Sequence, residues 1–179
     1  MNLFQASLST GLFMVFLGLP LLLNHSFSSK YAKRFPRSKI AAFVTMILGT
    51  LCFLILHVGN LSDADFGTYK VHITIFSLFI LGFSFKYLPD FLAVRGFCIL
   101  VLLFSREALD AAFLQEPMSR LFMVSVVYIG IVAALYLSAW PYRLRDFLNW
   151  LLAKRTRTRT AGAFIAGYGI LLFALALSY

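Results

Sequence analysis

Four ionisable side chains stand in or against one apolar run, FLAVRGFCILVLLFSREALD at residues 91–110: Arg95, Arg106, Glu107 and Asp110. At about 100° per helical residue, Arg106 falls roughly 20° from Arg95, Asp110 about 60° and Glu107 about 120°, so three of the four share a stripe with Leu92, Ile99 and Leu102. Arg95 and Arg106 are about 16 Å apart along a helix axis, too far to grip one small ligand. Arg106 and Asp110 are placed to pair at i, i+4. Charges in apolar surroundings turn toward protein or water. The stripe can therefore line an outward vestibule for a solute or meet another subunit. In the simpler arrangement the helix is short, Arg95 reaches the surface at one end, and the other three lie outside at the other.

Two histidines flank the segment LHVGNLSDADFGTYKVHIT. From Lys39 to His57 a helix rises about 27 Å, which puts His57 at its far end and His72 at the start of the next helix, at the same depth. Imidazoles so placed can ligate a haem b iron or, with Asp63 or Asp65, a transition metal. Histidines at helix ends are also ordinary, and no cofactor other than haem b is suggested by any spacing. The Asp63–Gly67 stretch opens like a calcium loop but lacks its third ligand, its glycine position and its terminal glutamate.

Signatures of catalysis are missing. The chain has no GxSxG, HExxH or P-loop pattern, and only seven acidic residues. Cys52 and Cys98 sit in apolar runs without CxxC spacing, as small apolar side chains. The expectation is a protein that is not an enzyme.

These residues need elements to carry them, and the composition says in what solvent. Of 179 residues, 61% are hydrophobic and 13% charged, with a mean hydropathy of +0.87; a soluble domain is nearer half apolar and a quarter charged. Apolar runs of membrane-crossing length predict an all-α, polytopic membrane helix bundle in a single domain, residues 1–179. About six transmembrane helices are expected, near 3–23, 39–58, 71–87, 90–113, 119–139 and 161–178. The first is too long and too poor in basic residues for a cleaved signal peptide. All five prolines, Pro20 included, are read as punctuating helix ends.

Between the fifth and sixth spans, WPYRLRDFLNWLLAKRTRTRT repeats Leu144, Phe147, Leu148, Leu151 and Leu152 at helical spacing, so residues 142–153 are expected as an amphipathic helix in the interface. Trp140 and Trp150 belong at that depth. Lys154, Arg155, Arg157 and Arg159 follow as contacts to anionic headgroups of the bilayer.

The net charge of +9 could suggest nucleic acid, but its distribution follows a membrane. Thirteen of the sixteen basic residues fall on alternate connections, after the first, third and fifth spans; only Lys70, Arg106 and Arg120 fall on the other side. The positive-inside rule then places both termini outside, in a bacterial inner (plasma) membrane, and no nucleic acid among the partners.

Small and polar residues hint at packing. The sixth span opens TAGAFIAGYG, with overlapping small-xxx-small pairs Gly162/Ala166 and Ala163/Gly167. The first carries Gln5, Ser7, Ser9 and Thr10 above Gly11 and Gly18, groups that can hydrogen-bond between helices or open a solute path toward the fourth span. Three functional readings follow. The chain is an accessory or assembly subunit of a membrane complex, partnered by other subunits or its own copies; a small-solute transporter or channel between the first and fourth spans; or a haem-bearing electron-transfer subunit using His57 and His72.

Overall fold

A computed structural model of the chain describes residues 1–23, 25–62, 66–88 and 90–178, with only the backbone of 25–29. Asn24, Asp63, Asp65 and Pro89, and the side chain of His25, lie outside the described residues. The structure is 85% helical, without a strand among the described residues.

Among the described residues, eight α-helices follow one another. They are α1 (Leu3–Leu23), α2 (His25–Arg34), α3 (Lys39–Cys52), α4 (Lys70–Tyr87), α5 (Leu92–Ala112), α6 (Arg120–Ala139), α7 (Tyr142–Leu151) and α8 (Arg155–Ala176). A 3-10 turn, Phe35–Arg37, joins α2 to α3, and α3 runs on as a π-helix over Phe53–Val58. Ser38 starts α3 after Pro36: its Oγ accepts the Ala41 amide at 3.2 Å, satisfying one of the donors that a helix start leaves open.

Among the described residues, five segments are long and apolar enough to cross a membrane: Leu3–Leu23, Lys39–Val58, Gly67–Tyr87, Arg120–Ala139 and Arg155–Ala176. The expectation of about six counts one more, the span near 90–113. α5 has the length, at 21 residues, but its charges take it out of the set. It is nevertheless the centre of the bundle, packed on α3, α6 and α1 and burying nine of its residues. A helix surrounded by protein does not need an unbroken apolar surface.

Helices α1 and α8 form the most extensive pair. Gly11 meets Gly169 and Leu172, Gly18 meets Ala166, and Gly162 meets Leu22, so the two run antiparallel. At one end of the bundle, Leu3, Ala6, Ala108, Ala111, Met123 and Leu172 share an apolar cluster. At the other, Ala42, Met46, Leu92 and Ala93 gather with Phe35 and Phe85, while Val94, Cys98 and Ala134 gather with Leu144. Successive long helices thus alternate in direction, and both chain ends lie at the end holding Leu3 and Leu172. The opposite end carries α2, α7 and most of the cations; we call it the basic end.

Further departures from the sequence reading have local causes. α2 falls between the expected spans 3–23 and 39–58, because ten residues rich in Lys, Ser and Arg hold no apolar run. α8 begins at Arg155 rather than 161, so Arg155, Arg157 and Arg159 occupy its first turns instead of a trailing segment. Pro20 lies inside α1, one turn before its end; only the backbone carbonyl one turn earlier loses a donor there. α4 is the least packed long helix, with Ser84 its sole buried residue.

Candidate functional site at the basic end

The connections on one side come together. α2, the 3-10 turn Phe35–Arg37, α7 and the start of α8 touch one another, so basic residues from the first and fifth connections share one surface. Its corner is fixed by Thr158, fully buried, whose hydroxyl lies 3.1 Å from the Leu151 carbonyl and 3.2 Å from that of Lys154. Leu151 and Leu152 are buried beneath it.

Aromatic rings and cations then interleave. The Arg157 guanidinium stands 4.7 Å from the centre of the Trp150 ring, which stacks on Phe147 at 6.2 Å; such stacking holds a cation at ring height. Trp140 is exposed and tilts against Tyr136 at 5.2 Å. Arg143 lies over Tyr142, whose side-chain hydrogen bond holds the guanidinium pKa above its ordinary value. Arg145 is ion-paired with Asp146 at 2.8 Å. Lys154, Arg155 and Arg159 are exposed.

The polar stripe of α5 is divided between the two ends. Arg95, half-buried, stands in the first turn at the basic end. Arg106 and Asp110 are exposed in the last turns with nitrogen and oxygen 3.9 Å apart, and Glu107 is half-buried beside them. The buried face there consists of Ser105, Ala108, Ala111 and Ala112. Arg120 reaches across that turn, donating to the Ala112 carbonyl at 3.1 Å and to that of Gln115.

The histidines are turned to aromatic neighbours on their own segments. His57 lies in the π-helix, 5.9 Å from Phe53, with its Nδ1 buried and without a hydrogen-bond partner; His72 is exposed and meets Tyr69 edge-on at 6.0 Å. No three His, Cys, Asp or Glu side chains cluster as a metal site among the described residues. The seam between α1 and α5 is filled where Ala6 and Ala108, neither with exposed surface, share one cluster; Ser7 of α1 is also fully buried, and its hydroxyl has no partner.

One site escaped the sequence reading. A groove of about 360 Å³ opens at the basic end, lined by Arg37, Ser38, Lys39, Phe43, Phe85 and Ala93 among others. Its sequence signal is the Pro36-Arg37-Ser38-Lys39 string, whose two cations entered only the count of thirteen basic residues on alternate connections. No family model matches the chain, and neither a curated protein nor a solved structure does.

Proposed function

We propose that the chain is an integral membrane protein of six spans, α5 being the sixth, which serves as a non-enzymatic accessory or assembly subunit of a membrane complex. The basic end faces the cytoplasm and both termini the outside of a bacterial inner membrane, as the charge distribution favours.

One observation carries the assembly reading. α8 has two small-xxx-small faces and uses only one. Gly162, Ala166 and Gly169 are buried against α1, whereas Ala163 and Gly167 are exposed, and a Cβ built on Gly167 meets nothing within 4 Å. Close backbone approach is how helices associate in lipid, where the hydrophobic effect gives no drive. The second face therefore suits a transmembrane helix of another subunit. The thin packing of α4 supports the same reading, as its Phe79, Phe83 and Tyr87 stack along a surface left open. The closed seam between α1 and α5 speaks for packing over a solute path.

Gly167→Leu tests this. Nothing near Gly167 must move, so the chain should fold and insert normally while co-purifying partners, or a second copy, are lost. Partners recovered undiminished with the variant would reject the role.

A further inference from the structure

We propose that the groove at the basic end binds one anionic phospholipid, its phosphate held by Arg37, Ser38 and Lys39 and its acyl chain laid along Phe43 and Phe85. The proposal rests on the membrane reading above but not on the assembly role.

The groove joins two kinds of surface. At its mouth Arg37 and Lys39 are exposed, and neither has a carboxylate within ion-pair distance among the described residues. Arg37 is not loose: its guanidinium is held 5.8 Å from the Phe91 ring. Between the two cations, the Ser38 Oγ accepts from the Ala41 amide and so keeps its own proton free to donate. Below them the lining turns apolar, with Ala42, Leu92 and Ala93 buried as the floor and the Phe43 and Phe85 rings, 5.9 Å apart, as the wall.

Charge order decides the occupant. Two unpaired cations and a hydroxyl donor above an apolar trough match a headgroup with net negative charge on an acyl tail. A zwitterionic headgroup would bring its own cation against Arg37 and Lys39. A free phosphate would leave the aromatic wall unused. Among the described residues no acidic side chain lines the groove, and its volume is that of known small-ligand sites, about 300–1,000 Å³.

The test is native mass spectrometry of the full chain, extracted in mild detergent, delipidated, and titrated with phosphatidylglycerol, phosphatidylcholine or glycerol phosphate. One phosphatidylglycerol per chain should be retained where phosphatidylcholine is not. The Arg37→Gln/Lys39→Gln variant should weaken that retention about twentyfold or more, roughly fivefold for each cation. Lys30→Gln/Lys33→Gln, an equal charge loss on α2, should weaken it less than about threefold. Equal uptake of both lipids, or equal losses in the two variants, would overturn the site. Glycerol phosphate held as tightly as the lipid would make it an anion site and overturn the lipid assignment. A chain that stays soluble without detergent would instead overturn the membrane reading itself.

Discussion

Gly18 of α1 rests on Ala166 of α8 so closely that a Cβ on Gly18 would stand 2.6 Å from the Ala166 amide nitrogen. Both sides of that contact are backbone, so neither can give way. Gly18→Leu should therefore cost about 3 kcal/mol or more, seen as lost folded protein in detergent size-exclusion profiles. A variant as stable as the parent would mean that α1 and α8 can separate without consequence.

Ser7 makes the opposite prediction. Its hydroxyl is fully buried and unpartnered, and desolvating such a group without a hydrogen bond costs about 1–3 kcal/mol. Ser7→Ala should raise the thermal midpoint in detergent, by an amount equivalent to about 1 kcal/mol. A lowered midpoint would reveal a hydrogen-bond partner for this oxygen.

Leu114, in the turn between α5 and α6, has φ +55° and is 81% exposed. A left-handed backbone strains a side-chain-bearing residue by about 1–3 kcal/mol, and glycine removes the strain while adding unfolded-state entropy. Leu114→Gly should therefore stabilise the chain modestly, by about 0.5–1 kcal/mol, in chemical denaturation. Destabilisation would show that the leucine side chain contributes contacts beyond this turn.

Thr158 ties α7 to α8 through the Leu151 and Lys154 carbonyls. Thr158→Val keeps the shape and deletes the donor, so the corner should loosen by about 1–2 kcal/mol. Trypsin cutting after Lys154 or Arg155 in the folded variant, at least several times faster than in the parent, would register it. Unchanged cleavage would place the rigidity of the corner in Leu151 and Leu152 instead.

What could be read from the residues alone follows from the physics of each signal. The long apolar helices announce themselves, because crossing length and composition are local properties. Helix α2 does not, since a short polar segment is helical only through the elements that hold it, here α7 and the start of α8. Arg95 and Arg106 were legible as residues of one stripe and, from their spacing, as groups for opposite ends of a short helix, but the packing of the run between them on α3, α6 and α1 needed the position of α5 within the bundle. The groove was hidden for the same reason: Arg37 and Lys39 are neighbours in the chain, whereas Phe85 and Ala93 reach them only through folding. The small residues of α8 showed two faces in the sequence, and only packing distinguishes the covered one from the open one.

The pairing of the first helix with the last governs how the molecule comes into being. Gly11 and Gly169 are 158 positions apart, so at the usual pace of about 5–20 residues per second α1 waits roughly 8–30 s for its mate to be synthesised. During that interval its glycine face lacks the helix that later covers it. A nascent chain truncated before α8 would thus display the very surface that a completed one conceals.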